Sequence, residues 1–138
     1  MKILVVEDDP VTRKTLSLIL HNFGYEVLSA PDGIQAWDIL KKEYIRLVIS
    51  DWEMPEMNGL TFCRKVRSTE FPGYVFFILL TSRDTKEDLV EGMSAGADDF
   101  IVKPFNKEEL YARIKAGERI LKLEADLAHS FLEMEEHG

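Results

Sequence analysis

Carboxylates follow two of the short apolar segments of this sequence. Glu7, Asp8 and Asp9 come directly after the first segment, and Asp51 follows the third, with Glu53 two residues later. Carboxylates packed together repel one another and their pKa values rise, unless a cation neutralises them. Oxygen-only ligands indicate a hard cation, which could be Mg²⁺, Mn²⁺ or Ca²⁺. The alternative is that these acids only cap helices, as we expect of Asp9.

Two more polar residues end later apolar segments. Thr81 closes the fourth segment, and Lys103, followed by Pro104, closes the fifth. A hydroxyl, an ammonium and a cation around a carboxylate form a set that binds a phosphoryl group, with the carboxylate as nucleophile. Alone, a threonine at a strand end is usually a cap, and a lysine before proline is usually a surface residue. Together with the acidic residues they indicate a phosphoryl site.

Such a site needs a fold that brings the ends of separate segments together. Five apolar segments have the length and continuity of strands buried on both faces, as in a parallel sheet. They cover residues 2–6, 25–30, 46–50, 74–81 and 99–102. Amphipathic helical segments follow each of them, so the chain predicts an α/β fold with an open, doubly wound, five-stranded parallel sheet. Ligands of such sheets bind at the carboxyl ends of the strands, where the polar residues would meet.

Capping residues mark the starts of the helices. The expected N-caps or openings include Asp9, Asn58 and Asn106. The fourth helix is predicted to begin near Asp84, with Glu87 completing a capping box, and to bury Leu89, Met93 and Ala97.

The last predicted helix is longer than the domain needs. Residues 106–136 contain no proline, and a helix of that length spans about 46 Å. Ile120, Leu123, Leu127 and Met134 fit a seven-residue pattern, although Ser130 interrupts it. A coiled coil and a solvated amphipathic tail both remain open. We predict a domain over residues 1–120 and a helical extension or linker over 121–138.

Composition restricts the class of protein. With 138 residues and a net charge of −8, the chain fits one folded domain, and its acidity disfavours direct binding of nucleic acid. Residues 124–138 hold five acids and no Lys or Arg, so much of the charge lies in the tail. A single cysteine, Cys63, suits a reducing cytoplasm, and we expect it in the core. No segment predicts a membrane span or a signal peptide.

The motifs at the strand ends resemble the receiver domain of bacterial two-component response regulators, across residues 1 to about 120. The matching segments are Ile-Leu-Val-Val-Glu7-Asp8-Asp9, Val-Ile-Ser-Asp51-Trp-Glu-Met-Pro55-Glu-Met-Asn-Gly59, Leu-Leu-Thr81-Ser82, Ala-Gly96-Ala-Asp-Asp-Phe100 and Val-Lys103-Pro104-Phe. The resemblance implies a flavodoxin-like strand order 2-1-3-4-5 with five helices. It also implies a role in phosphorelay signal transduction.

By that resemblance, Asp51 accepts a phosphoryl group from a histidine kinase or a phosphotransfer protein. Glu7, Asp8, Asp51 and the backbone carbonyl of Glu53 would hold Mg²⁺. The protein would catalyse only its own phosphorylation and dephosphorylation, and would not act as an enzyme on other substrates.

The resemblance also implies which residues change conformation. Thr81 and Lys103 would contact phosphoryl oxygens, and Phe100 stands where the family has an aromatic switch residue. The Lys103–Pro104 peptide bond is expected to be cis. The fourth helix, fifth strand and fifth helix would then control a partner protein or an effector domain.

Glu53 and Arg83 occupy positions that we expect to tune the phosphorylated lifetime, because both should flank the path of an attacking water. The Glu53 carboxylate would repel a phosphoryl group unless it pairs with Lys103, Arg83 or the metal. The alternative is a solvated loop charge. The neighbouring Trp52 is expected to report binding at the site by its fluorescence.

A homodimer is an open prediction with two candidate surfaces. Asp99, Glu109 and Arg113 match charges through which some members of the family pair, but Leu89 replaces the lysine usual in them. The long last helix is the other surface.

Two other functions compete with phosphorelay signalling. A Mg²⁺-dependent phosphatase of the haloacid-dehalogenase type could use Asp51, but such enzymes have an Asp-x-Asp motif after the first strand and this chain lacks it. A receiver-like interaction domain that is never phosphorylated is the third reading. The presence of Asp51, Thr81 and Lys103 argues against it.

Overall fold

Five parallel strands form one sheet in the order β2-β1-β3-β4-β5. The strands are Lys2–Val6 (β1), Glu26–Ala30 (β2), Leu47–Asp51 (β3), Phe76–Thr81 (β4) and Asp99–Val102 (β5). The structure is a computed structural model that describes the backbone of residues 1–137 and the side chains of residues 1–134. The predicted fold class and strand order are confirmed.

Helices cover both faces of this sheet. They are Pro10–Asn22 (α1), Gly33–Lys42 (α2), Gly59–Arg67 (α3), Lys86–Ser94 (α4) and Lys107–His137 (α5). Apolar residues of α1 and α5 pack on one face, and those of α2 and α3 pack on the other. Within the residues described, no helix is long and apolar enough to cross a membrane.

Three of the predicted caps have the expected hydrogen bonds. The side chain of Asp9 accepts from the Thr12 N–H at 2.9 Å, and that of Asn58 accepts from the Thr61 N–H at 2.9 Å. Asn106 accepts from the N–H of Glu109 at the start of α5. These caps satisfy backbone donors that a helix start otherwise leaves unpaired.

The helix α4 begins near Asp84 as predicted, but the predicted capping box is wrong. Its N-cap is Thr85, whose side chain accepts from the Asp88 N–H at 3.1 Å, rather than Asp84 with Glu87.

The predicted buried face of α4 is also wrong. Leu89 and Met93 are each 43% exposed, while Gly92 lies against the sheet beside Leu79 and Ala97 is buried as predicted. The outer surface of α4 is therefore apolar at its centre.

The edge strand β2 also differs from its prediction. A strand buried on both faces was expected, but Glu26 and Ser29 are exposed and only Ala30 is fully buried. An edge strand pairs on one side only, so helices cover it less completely.

The helix α5 runs from Lys107 to His137 without a break, as the absence of proline predicts. It passes the proposed boundary at residue 120, so the division into a domain and an extension stays a prediction. Of the predicted extension, the side chains of residues 135–138, including His137, lie outside the described residues.

Candidate functional site

Three carboxylates meet at the carboxyl ends of β1 and β3. The register pairs Val6 of β1 with Ser50 of β3, so the residues that follow in each strand are neighbours. One oxygen atom each from Glu7, Asp8 and Asp51 lies within 4.8 Å of the others. The convergence expected from the sequence follows directly from the parallel pairing.

Glu7 is the unusual member of this acidic cluster. Its side chain is 2% exposed, and its Oε2 has no hydrogen-bond partner among the residues described. Burial raises the pKa of Glu7 to about 8, and the neighbouring Asp51 carboxylate adds to that effect. A buried, unpartnered carboxylate oxygen beside two more carboxylates fits a divalent cation with oxygen ligands.

Lys103 places a positive charge beside the carboxylates of Asp51 and Glu7. Its Nζ lies 3.3 Å from Oδ2 of Asp51 and 3.4 Å from Oε1 of Glu7. Its backbone N–H donates to the carbonyl of Thr81 at 2.7 Å, which fixes the end of β5 beside that of β4. The Lys103–Pro104 peptide bond, predicted to be cis, is cis in the structure.

Arg83 joins the two loops that border the cluster. Its Nε donates to Oε1 of Glu53 at 2.6 Å, and its Nη1 lies 3.3 Å from Oδ1 of Asp88 at the start of α4. The guanidinium also lies 4.7 Å from the ring centroid of Trp52. Glu53 is thus paired with Arg83, which is one of the three partners predicted for it.

The two predicted switch residues lie on neighbouring strands, Thr81 at the end of β4 and Phe100 on β5. The hydroxyl of Thr81 is buried and accepts from the N–H of Arg83 at 3.0 Å. Phe100 is 9% exposed, and its ring meets that of Trp52 edge-on at 6.2 Å. Phe100 contacts the site through Trp52.

Sequence reasoning missed Arg13. Its Nη1 donates to the backbone carbonyl of Glu7 at 2.9 Å and approaches that of Asp8 at 3.5 Å. Arg13 lies in the first turn of α1, and no spacing in the sequence pointed to its bonds with these carbonyls.

Sequence reasoning also missed a close approach at Gly59. Its N–H donates to the carbonyl of Trp52 at 2.8 Å. A Cβ atom at Gly59 would lie 2.2 Å from the carbonyl oxygen of Asp51. The start of α3 therefore rests on the backbone of the acidic cluster, and glycine permits that contact.

The charges of the predicted output surface pair within the chain. Nη1 of Arg113 lies 3.0 Å from Oδ1 of Asp99, and its Nε lies 3.5 Å from Oε1 of Glu109. Leu89, on α4 beside them, is exposed.

Known proteins are similar to this chain in sequence and in fold. The profile of the response regulator receiver domain matches residues 3–115. The response regulator MprA of Mycobacterium avium (strain 104) is 41% identical over 128 residues, which cover 91% of this chain and 54% of that protein. The probable transcriptional regulator ycf27 of Porphyridium aerugineum is 40% identical over 116 residues, covering 83% and 47% respectively. The chain thus spans about half the length of the curated relatives it matches.

Solved structures of known proteins are similar to this fold. Chemotaxis protein CheY4 of Vibrio cholerae has a TM-score of 0.79 and 35% identity, covering 83% of this chain and 96% of that one. A CheY-like receiver domain protein from Methanospirillum hungatei has a TM-score of 0.82 and 30% identity, covering 89% and 97%.

Proposed function

The chain belongs to the response regulator receiver domain family, and from that premise we propose that Asp51 accepts a phosphoryl group from a histidine kinase or a phosphotransfer protein. The observation that carries the proposal is the position of Asp51, which is buried between two carboxylates and the ammonium of Lys103. A nucleophilic carboxylate needs such neighbours, because negative charge develops on the oxygens of the transferred group.

Each residue of the site has its own role in the proposed phosphoryl transfer. A carboxylate oxygen of Asp51 forms the new bond to phosphorus as the bond to the donor's imidazole nitrogen breaks, and the nitrogen leaves with the electron pair. Lys103 pairs with a phosphoryl oxygen. Glu7, Asp8, Asp51 and the backbone carbonyl of Glu53 would hold Mg²⁺, which would supply positive charge to offset that of the phosphoryl oxygens.

Phosphorylation would then shift the balance between two conformations of the loops. The new group adds almost two negative charges and strong acceptor oxygens next to Thr81. A hydrogen bond from the Thr81 hydroxyl to one of these oxygens draws in the loop before α4, and Phe100 repacks with it. This biases the α4–β5–α5 surface, and a differential of a few kcal/mol suffices for a large population shift.

We propose that the Arg83–Glu53 pair tunes the phosphorylated lifetime. Pairing neutralises the Glu53 carboxylate near the path of an attacking water. Glu53→Asn removes the pair and should change the dephosphorylation rate. Glu56→Asn, an exposed position in the same loop, is the matched control and should leave the rate unchanged. Equal rates in wild type and Glu53→Asn would contradict this role.

The proposed partners are a cytoplasmic histidine kinase or phosphotransfer protein and a downstream effector, either a separate protein or another domain of a longer chain. We propose no direct contact of these 138 residues with nucleic acid or a membrane. Homodimer formation through α4–β5–α5 or through the last helix belongs to the same proposal.

One experiment separates this function from its competitors. The chain is incubated with Mg²⁺ and acetyl phosphate or phosphoramidate, and its intact mass is measured over time. We expect a single phosphoryl adduct that is absent in Asp51→Asn. Turnover of the donor without an adduct would indicate a phosphatase, and no reaction would indicate an interaction domain that is not phosphorylated.

A further inference from the structure

The last helix leaves the body of the domain at Glu124. Up to that point α5 is held by Leu110, Ile114 and Leu121, which are buried. Among the described side chains, the last ion pair between α5 and the rest of the domain joins Nη2 of Arg46 to Oε2 of Glu124 at 2.6 Å. Every described residue from 125 to 134 is exposed. That segment extends about 15 Å beyond the domain at 1.5 Å per residue.

A row of large apolar side chains follows one side of this helix, and we name it the outer stripe. It consists of Ile120, Leu123, Leu127, Phe131 and Met134. Their spacings of three or four residues keep them on one face. Leu127 is 71% exposed and Phe131 is 63% exposed. A contiguous apolar surface of this kind marks a site of protein association.

Charge along α5 changes sign halfway. Residues 107–122 carry five Lys or Arg and three acids, whereas residues 123–138 carry five acids and no Lys or Arg. Arg119 and Lys122 have no carboxylate within salt-bridge distance among the described side chains. The outer stripe therefore begins beside unpaired basic residues and ends among acidic ones.

We propose that the outer stripe binds the outer stripe of a second copy of this chain, with the two helices antiparallel. A two-fold axis at Leu127 places Ile120 of one copy opposite Met134 of the other, so the same patch serves both copies. The acidic end near Glu133 then lies beside Lys122 of the second copy. A parallel pair would instead place the two acidic ends together, where like charges repel. This pairing deepens the proposed function by selecting the last helix from its two dimer surfaces, and it does not depend on phosphorylation of Asp51.

Sedimentation equilibrium of the 138-residue chain tests the association. We expect a dimer in wild type and a monomer in Leu127→Glu, because a buried, unpaired charge would replace the central apolar contact. Leu18→Glu, an exposed apolar position on α1, is the matched control and should remain dimeric. A wild type that stays monomeric at hundreds of micromolar, or a dimer unaffected by Leu127→Glu, overturns the proposal.

Engineered cysteines test the orientation, since the native Cys63 is buried. An oxidised mixture of Ile120→Cys and Met134→Cys should yield the mixed 120–134 disulfide, and each variant alone should remain largely uncrosslinked. Homodisulfides from each variant alone would indicate a parallel pair and contradict the proposal.

Charge reversal gives a second readout of the orientation. Lys122→Glu should weaken the dimer about three- to fivefold through two symmetric pairs, and adding Glu133→Lys should restore it. A double variant that dimerises no better than Lys122→Glu alone would argue against the antiparallel arrangement.

Discussion

The contact between Gly59 and the acidic cluster permits a prediction with two linked effects. In Gly59→Ala, the new Cβ would lie 2.2 Å from the carbonyl oxygen of Asp51 and 2.9 Å from Cα of Trp52. A carbon–oxygen contact needs about 3.3 Å. Both obstacles are backbone atoms, so α3 and the end of β3 must separate by about 1 Å.

The size of that displacement sets the expected effects. Overpacking lowers the free energy of unfolding by about 1–3 kcal/mol. Because the obstacle at Gly59 is rigid backbone, we expect Gly59→Ala to lose about 3 kcal/mol. For a chain of this length that lowers Tm by about 10 °C. Moving the carboxylate of Asp51 by about 1 Å should also slow phosphorylation by acetyl phosphate about a hundredfold.

Gly92→Ala in α4 is the matched control. There the new Cβ would lie 3.0 Å from Cδ1 of Leu79, at the flexible end of a side chain. Alanine also gains about 1 kcal/mol of helix propensity over glycine, so Tm should change by only a few degrees. Thermal unfolding and the rate of adduct formation are measured for both variants. If Gly59→Ala matches wild type in Tm and rate, the close approach does not exist.

The remaining predictions concern the metal, the thiol and the indole. Mg²⁺ at ten times its Kd should raise the Tm of wild type by about 5 °C in a thermal melt, and Asp8→Asn should lose that increase. An equal increase in both proteins would contradict the role of Asp8 as a metal ligand. Burial raises the pKa of the Cys63 thiol to about 11, so a thiol reagent should label the folded chain slowly at pH 8. The labelling rate should rise with pH and become rapid in urea. Fast labelling of the folded chain at pH 8 would refute the burial of Cys63. Arg83→Ala removes the cation above Trp52 and should shift the emission of that indole to longer wavelength, and an unchanged spectrum would contradict the stacking.

The sequence was sufficient for the α/β fold class on physical grounds, and for the acidic cluster once the family resemblance was added. Continuous apolar segments specify buried parallel strands, and neighbouring parallel strands end at the same edge of a sheet. The strand order that makes β1 and β3 neighbours was implied by the resemblance to receiver domains, and with that order Glu7 and Asp51 were expected to meet although 43 residues separate them along the chain.

Contacts that depend on exact rotation or on backbone proximity could not be predicted. The α4 face was wrong because Gly92, which has no side chain, faces the sheet and lies close to Leu79, and this orientation leaves Leu89 exposed. The role of Gly59 was missed because its spacing from Asp51 only becomes visible when α3 is placed on the sheet.

The central claim is that Asp51 is the phospho-acceptor, and peptide mapping of the adduct tests it most directly. The chain is phosphorylated by acetyl phosphate with and without Mg²⁺, digested, and the modified residue is identified by mass spectrometry. The account predicts one Mg²⁺-dependent phosphoryl group on Asp51 and none in Asp51→Asn. A phosphoryl group on another residue, or equal modification of Asp51→Asn, would contradict it.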